Sequence, residues 1–418
     1  MAHTRNHLQL ELAPYQWSSN AMITLLRQLL LGSLIAALLA GCATLPERTE
    51  FTASDQAAAR IAGFADIRVW SDAPAQVWLE WRARFEQDRS AAGTEAGGAG
   101  PLEMLAISSG SDKGAFSAGF LNGWSETGHR PDFDIVSGVS TGALIAPFAF
   151  LGEESDPDLK RLYTTIDASM VYRATPVSGV FGGPSLASTE PLAKLIETYA
   201  DADLIDAVAR EHRMGRRLLV QTTNLDAERG VVWDMGAIAT SESPARYDLF
   251  RKILIASASI PGAFPPALID IETPGGTFAE LHVDGGTTSS VLAVPLSVIL
   301  DRQPETGAGN GGGNRAGNGR LTILYNGTLQ PVFRVSKPKT FAILERALTA
   351  SIKASDQRAI KVLQEFAQER GVTVDIQSIG AEAEDPDAEL FDQAFMQKLF
   401  GLGRKRALLV HGAAASAD

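Results

Sequence analysis

The residues that decide the fold are Val136-Ser137-Gly138-Val139-Ser140-Thr141-Gly142. The apolar run from Phe133 to Val136 predicts a short buried strand, and the apolar run from Ala143 to Leu151 predicts a helix. A serine at a sharp turn between a strand and a helix needs small neighbours, which Gly138 and Gly142 supply. The pattern indicates a nucleophile elbow with Ser140 as the candidate nucleophile. An ordinary turn between a strand and a helix is the alternative.

Composition restricts the class of protein. Of the 418 residues, 45% are hydrophobic and 21% are charged, which is typical of a packed globular protein. The net charge of −12 argues against non-specific binding of nucleic acid. One cysteine and six scattered histidines offer no paired metal-ligand spacing, so we expect neither a metal nor a cofactor.

The N-terminal region predicts export. Arg27 precedes an apolar run from Leu29 to Ala40, and the small residues before Cys42 complete a secretory signal. The ending Leu39-Ala40-Gly41-Cys42 is similar to a bacterial lipobox, in which the cysteine carries the lipid. A transmembrane helix is the alternative, but the apolar run is short for a membrane span.

These features predict a signal peptide over residues 1–42, in which 1–21 is a possible extension before a true start at Met22. Cys42 would anchor the protein to a membrane of the bacterial cell envelope. Ala43 follows the cysteine, and its resemblance to lipoprotein sorting signals favours the outer membrane.

Residues 43–100 form a leader. Helices are predicted from Ala57 to Phe64 and from Ala75 to Phe85, and Ser90 to Gly100 has the composition of a flexible linker. On the second helix, one face carries Trp78, Trp81 and Phe85. Such a face usually packs on its own domain. A face lying on a membrane is the alternative.

A second small-residue turn follows the predicted buried strand from Leu102 to Ile107. It is the stretch Ser108-Ser109-Gly110-Ser111-Asp112-Lys113-Gly114, and a helix is predicted after it from Ala115 to Trp124. Such a turn exposes backbone N–H groups. It could cradle a phosphate, although it lacks the Gly-Lys-Ser/Thr ending of a phosphate loop. Beside a nucleophile elbow, an oxyanion hole is the better interpretation.

The rest of the chain alternates strands and helices, which predicts an α/β fold. Further strands are predicted at Arg217–Thr223, Gly230–Asp234, Glu280–Val283, Leu321–Tyr325 and Val372–Ile379. Further helices are predicted at Asp156–Thr165, Thr189–Tyr199 with Thr189 as N-cap, Tyr247–Ser257, Pro338–Arg370 and Asp392–Phe400. The segment Tyr172–Ser188 is predicted as a loop that could cover the site, and residues 307–319 as a glycine-rich insertion.

Asp284-Gly285-Gly286 follows a predicted strand, where α/β sheets hold catalytic groups. A plain turn is the commoner role of such a tripeptide. His282 is a rival base, but two neighbours on one strand rarely form the His–Asp part of a triad. A histidine that is hydrogen-bonded or faces solvent is the favoured interpretation.

In this order, the turn at 108–114, the elbow at Ser140 and the Asp284-Gly285-Gly286 stretch resemble the patatin-like phospholipase family. Further matches are Thr222-Thr223-Asn224-Leu225 and the stretch 256–266, Ala-Ser-Ala-Ser-Ile-Pro-Gly-Ala-Phe-Pro-Pro. The resemblance covers residues 101–300 closely and 321–380 loosely. It implies a three-layer α/β/α sandwich with a mostly parallel central sheet at 101–380, followed by a helical tail at 381–418.

The resemblance also implies roles for residues. Ser140 and Asp284 would form a catalytic dyad, and the amides of Gly110 and Ser111, with Asp112, would form the oxyanion hole. The supporting motif residues would be Lys113, Gly114, Gly138, Gly142, Gly285 and Gly286. The turn departs from the family pattern, because Ser109-Gly110-Ser111 replaces three glycines.

Two classes of function follow. The first is a serine acyl hydrolase, a carboxylic ester hydrolase of the phospholipase type, which cleaves acyl esters of membrane lipids. The second is a non-catalytic lipoprotein that uses the same fold as a binding or scaffolding module. Retention of Ser140 and Asp284 favours the enzyme, and the altered turn favours the module. Cleavage of thioesters or peptides stays open, since a fold does not determine a substrate.

Overall fold

The computed structural model describes residues 48–93, 102–174, 185–292 and 319–412, apart from residues 334, 337, 384, 386 and 387. Several predictions lie outside the described residues. They are the signal peptide with Cys42, most of the linker at 90–100, the middle of the loop at 172–188, and the glycine-rich insertion up to residue 318.

A nine-stranded sheet forms the centre of the molecule. Its strands are β1 (Arg68–Trp70), β2 (Leu102–Ile107), β3 (Ile135–Val139), β6 (Arg217–Asn224), β7 (Arg229–Asp234), β8 (Ala267–Thr273), β9 (Gly276–Asp284), β10 (Gly319–Tyr325) and β11 (Thr373–Ser378). The short strands β4 (Arg173–Ala174) and β5 (Ala187–Ser188) form a separate pair. The strands β11, β10, β2, β3 and β6 are parallel neighbours in that order. Antiparallel strands continue the sheet on the β6 side.

Twelve helices of the described residues flank the sheet. They are α1 (Ala53–Ala58), α2 (Ala75–Ala91), α3 (Ala115–Glu126), α4 (Thr141–Leu151), α5 (Asp156–Thr165), α6 (Ala168–Val171), α7 (Glu190–Tyr199), α8 (Ala202–Arg213), α9 (Met235–Thr240), α10 (Arg246–Ser257), α11 (Thr340–Arg370) and α12 (Gln393–Gly412).

Two apolar clusters fill the spaces between the sheet and these helices. One cluster joins alternate residues of the parallel strands to α3, α4, α5, α7 to α10 and α12. The other joins the opposite face of the sheet to Trp78, Trp81 and Phe85 of α2 and to Ile360 and Leu363 of α11. Side chains alternate between the two faces of a strand. The sequence of a parallel strand that is buried on both faces is therefore a continuous apolar run. The predicted three-layer α/β/α fold with a mostly parallel central sheet is confirmed.

The structure corrects two predictions, one near the N-terminus and one in α7. The first helix spans Ala53–Ala58, because Thr52 and Asp55 form a capping box, and the chain is extended from Ala59. The predicted helix at Ala57–Phe64 is therefore wrong. Thr189 occupies the N-cap position of α7, but its side chain caps no amide.

Three further corrections concern the C-terminal half. Strand β8 and the part of β9 that precedes Glu280 were not predicted. Helix α12 continues to Gly412, well past its predicted end at Phe400. The sequence places Ile343, Leu344, Ala347, Leu348 and Ile352 on one face of the predicted helix at Pro338–Arg370. The side chains of Ile343, Leu348 and Ile352 are exposed, and α11 contacts the core further along.

Candidate active site

Ser140 stands at a strained turn between β3 and α4. Its backbone has φ of 56° and ψ of −121°, a conformation that is rare for a residue with a side chain. A Cβ atom on Gly142 would lie 2.2 Å from the carbonyl oxygen of Ile107, and one on Gly138 would lie 2.2 Å from the oxygen of Gly142. The strand, the turn and the helix therefore approach so closely that only glycine fits at the two positions.

The strand register brings Asp284 to this turn. Along one edge of β6, Gln221 pairs with Val139 at the end of β3, and the next residue, Thr222, pairs with Asp284 at the end of β9. Strand β3 ends at the elbow, and from that point β9 pairs with the same edge of β6. As a result, the Ser140 hydroxyl donates a 2.5 Å hydrogen bond to Oδ2 of Asp284, and both residues are about 5% exposed or less.

The environment of Asp284 makes its carboxylate more basic. Burial raises the pKa of Asp284 from 3.8 to about 7, although the hydrogen bonds from the Ser140 hydroxyl and the Gly286 amide act in the opposite direction. The Gly286 amide donates to Oδ1 at 2.7 Å, which leaves Oδ2 directed at Ser140. A carboxylate with a pKa near neutral pH is able to accept a proton from a hydroxyl in the transition state.

His282 is engaged elsewhere. Trp233 Nε1 donates to the hydroxyl of Thr222 at 2.8 Å, and that hydroxyl lies 2.9 Å from His282 Nδ1. The other ring nitrogen, Nε2, lies 2.9 Å from a carboxylate oxygen of Glu280. Thr222 therefore donates to Nδ1, and Nε2–H donates to Glu280. Burial lowers the pKa of His282, so a neutral ring fits both contacts. The interpretation of His282 as a hydrogen-bonded histidine agrees with these contacts.

Glu280 completes this buried group. Although burial acts to raise it, hydrogen bonds from His282 and Arg68 hold the pKa of Glu280 down to about 2. Arg68 donates to both of its carboxylate oxygens, at 2.5 and 3.1 Å. The group lies behind Asp284 on β9, and none of its described hydrogen bonds reaches Ser140.

The turn at 108–114 lies beside the elbow. Gly110 and Ser111 both have positive φ, 157° and 55°, and a Cβ on Gly110 would lie 2.4 Å from the carbonyl oxygen of Asn326. Ser111 thus adopts a left-handed conformation despite its side chain, at a cost of about 1 kcal/mol or more. Among the described residues, no acceptor takes the amide N–H of Gly110 or Ser111. Ser111 and Ser140 line the same cavity, so these amides are candidate donors to an oxyanion.

The remaining residues of this turn anchor it. The carboxylate of Asp112 accepts the Phe391 amide at 3.0 Å, and burial raises its pKa. The Lys113 amide donates to the carbonyl of Gly110. A Cβ on Gly114 would lie 2.3 Å from Oγ1 of Thr141, so the turn packs directly on the first residue of α4. Gly285 similarly approaches the backbone of Gln221.

Two residues with structural roles at the site were missed by the sequence reasoning. The hydroxyl of Ser257 accepts the amide N–H of Ser140 at 3.0 Å and donates to the carbonyl of Gln221 at 2.7 Å. The backbone amide of Asn326 donates to the Ser108 hydroxyl oxygen at 2.7 Å, and its Nδ2 donates to the Ser108 carbonyl at 2.9 Å. Ser257 lies in the stretch 256–266 that resembles the family, but no pattern in the sequence indicates its role. Nothing in the sequence marks Asn326.

An apolar cavity of about 70 Å³ opens at Ser140. Its walls include Leu144, Tyr163, Ile260 and Phe264. The Tyr163 hydroxyl lies 2.7 Å from Oγ1 of Thr141, and burial raises its pKa, so it stays neutral. Within the described part of the chain, no group of three or more His, Cys, Asp or Glu side chains could hold a metal. The site therefore combines a hydroxyl, a carboxylate and free amides with an apolar space.

The solved structures that are similar to this chain include VipD and ExoU. VipD from Legionella pneumophila is 14% identical with a TM-score of 0.32, over 74% of this chain and 67% of its own. The type III effector protein ExoU is 13% identical with a TM-score of 0.28, over 73% of this chain and 53% of its own. No curated protein matches this chain significantly.

The sequence profile of the family described as patatin-like phospholipase matches residues 105–297. The matched range begins within β2, includes the turn at 108–114 and the elbow, and extends past Asp284 and Gly286. The segment from 105 to 297 is thus similar to the domain of the patatin-like phospholipase family.

Proposed function

We propose that this protein is a serine acyl hydrolase that cleaves acyl ester bonds of lipids through Ser140 and Asp284. The observation that carries the proposal is the 2.5 Å hydrogen bond between the two side chains, buried at the mouth of an apolar cavity. The family match supports a lipid as the substrate. The chemistry requires only groups that the described chain contains.

The reaction begins with proton transfer. Ionised Asp284 accepts the proton of the Ser140 hydroxyl as the serine oxygen attacks the ester carbonyl carbon. Negative charge develops on the carbonyl oxygen, where the amides of Gly110 and Ser111 and the N-terminus of α4 stabilise it. The proton on Asp284 then passes to the departing alcohol, which leaves an acyl group on Ser140. Water attacks this ester, with Asp284 again as the base, and restores the enzyme.

The conformation of Ser140 supports this mechanism. The residue stays in its rare φ region because the Ser257 hydroxyl holds its amide and glycines surround it. The hydroxyl therefore faces Asp284 before substrate arrives, so little reorganisation is needed in the transition state. This preorganisation is what distinguishes a nucleophile from a buried serine that serves only packing.

A fluorophosphonate probe tests the assignment. The probe reacts with activated serine hydroxyls, so peptide mass spectrometry is expected to find the adduct on Ser140 alone. Ser140→Ala is expected to abolish labelling and to lower ester turnover at least about a thousandfold. The matched control is Ser125→Ala, because that hydroxyl bonds only within α3 and to Arg130, and it is expected to leave labelling intact.

Two results would overturn the proposal. One is an adduct on another serine of the folded protein. The other is a folded protein that neither reacts with the probe nor hydrolyses any ester, which is the behaviour of a binding module.

We also propose that the protein acts at a membrane of the bacterial cell envelope, with the outer membrane favoured. The lipobox-like ending at Cys42 supports a lipid anchor there. An anchor beside the membrane would raise the local concentration of lipid substrate around the catalytic domain.

A further inference from the structure

A second apolar cavity lies behind the first. The cavity at Ser140 measures about 70 Å³, and its neighbour measures about 40 Å³. Four leucines line both of them, namely Leu144 of α4, Leu162 of α5, and Leu192 and Leu195 of α7. Leucine side chains therefore form the wall that the two spaces share, and such side chains can change rotamer without moving the backbone.

The second cavity offers no polar interior. Apart from Tyr199, every described residue that lines it is apolar, including Phe148, Ala200, Leu204 and Leu254. The Tyr199 hydroxyl accepts a hydrogen bond from Arg161 Nε at 3.2 Å, and Arg161 is exposed. The polar end of Tyr199 is therefore already engaged near the surface, and it marks where the apolar space ends.

A proline contributes to this space. Pro147 lies inside α4 and lines the second cavity. Proline has no amide hydrogen, so α4 lacks the backbone hydrogen bond that this position would donate to the preceding turn. The same wall of the cavity carries Leu144 and Phe148.

From this arrangement we infer that the two cavities form one channel for the acyl chain of the substrate, and that the second cavity selects for chain length. The inference rests on the proposed function. A space of about 70 Å³ holds only a few groups of the size of a methylene or a water. Beyond those, an unbranched acyl chain without polar substituents would pass the four leucines and bury its distal methylenes in the second cavity. Chains that reach it should be better substrates than short ones.

Filling the far end tests the inference. Ala200→Leu adds a larger side chain to the second cavity, at a residue that does not line the cavity at Ser140. With p-nitrophenyl esters, kcat/KM for the octanoate is expected to fall at least about tenfold, while that for the butyrate stays within about twofold. Ala193→Leu is the matched control, because it makes the same substitution on α7, whose C-cap is Ala200, at a residue that lines neither cavity. It should preserve the ratio of the two substrates.

A second variant tests the opposite direction. Leu204→Ala enlarges the far end at a half-buried position, which lessens the risk of unfolding. It is expected to raise the ratio of kcat/KM for the palmitate to that for the octanoate. An unchanged chain-length profile in both variants, with the butyrate still hydrolysed, would overturn the channel and leave the proposed function standing. Failure of the wild-type protein to hydrolyse any of these esters would overturn the proposed function, and the channel with it.

Discussion

In the proposed mechanism, Asp284 serves as a base without a histidine. An aspartate in water has a pKa near 3.9, too low to take a proton from serine with any efficiency. Burial at the end of β9 raises the pKa of Asp284 to about 7. The charged form is therefore disfavoured in the folded protein. The stability that this group contributes is fully present below its unfolded pKa and is lost as pH rises through about 7.

We expect ester hydrolysis to follow the ionisation of Asp284. Because the base must be charged, kcat/KM should rise about tenfold per pH unit below pH 7 and level off above it. The kcat/KM of Asp284→Asn should be at least about a thousandfold below that of the wild type at every pH, since an amide cannot accept the proton. The measurement is a pH profile of kcat/KM with a soluble p-nitrophenyl ester.

Stability separates a lost base from a lost fold. Asparagine carries no buried charge, so at pH 8 the free energy of unfolding of Asp284→Asn should equal or exceed that of the wild type. His282→Ala serves as the matched control on the same strand. The His282→Ala variant should keep the pH dependence of kcat/KM, because the His282 ring contacts Thr222 and Glu280 and not Ser140 or Asp284 in its described hydrogen bonds. A rate profile governed by His282 would contradict the two-residue mechanism.

At the scale of elements, the packing of α12 on α3 depends on glycine. A Cβ on Gly119 would lie 2.0 Å from the carbonyl oxygen of Phe400, and one on Gly403 would lie 2.0 Å from that of Phe116. The two backbones are therefore in direct contact. The segment expected to be a helical tail after residue 381 is thus packed on α3, with Phe395, Met396 and Leu399 buried in the main apolar cluster.

Gly403→Ala is expected to destabilise the protein strongly. A methyl group there must push two helix backbones apart, and overpacking of this kind costs about 1–3 kcal/mol or more. Gly401→Ala on the same helix is the matched control, since nothing lies within 4 Å of its added Cβ. It should be neutral or stabilising by up to about 1 kcal/mol. Thermal unfolding followed by circular dichroism measures both, and equal melting temperatures for the two variants would refute the close contact.

The elements that were predicted well are those with a strong local signal. The apolar run before Gly138 and the one after Ser111-Asp112-Lys113-Gly114 specify a strand and a helix by themselves, and both are present. The hairpin of β8 and β9 has mixed polarity, because β8 alternates buried and exposed residues only in part. The sequence therefore predicted this hairpin only from Glu280 onward.

The site itself needed information that is not local. The motifs around Ser140 and Asp284 are visible in the sequence. Their contact, however, depends on the register of β9 against β6, whose paired residues, such as Thr222 and Asp284, are far apart along the chain. Asn326 and Ser257 contribute through hydrogen bonds that include ones to the backbone. Many polar residues could make such bonds, so no sequence pattern singles these two out.

At the scale of the whole molecule, the structure excludes one candidate mode of attachment to a membrane. Trp78, Trp81 and Phe85 are at most 5% exposed, because they pack against the sheet, so a membrane-lying face on α2 is wrong. Among the described residues, no helix has the length and apolar character needed to cross a membrane. The proposed anchor at Cys42 lies outside the described residues and stays a prediction from the sequence.

Replacing Cys42 tests that anchor. Cys42→Ser removes the thiol that would carry the lipid, so the variant is expected in the soluble fraction, where the wild type is expected in the membrane fraction. Its kcat/KM on a soluble butyrate ester should match the wild type, because the described site draws only on residues from Ser108 onward. Its rate on phospholipid vesicles should fall, since the local concentration of lipid is lost. Ala43→Ser is the matched control and should stay in the membrane fraction. If Cys42→Ser remained tightly bound to membranes, the anchor would have to lie in another segment, and the exposed apolar residues Phe333 and Val335 would be the first to substitute.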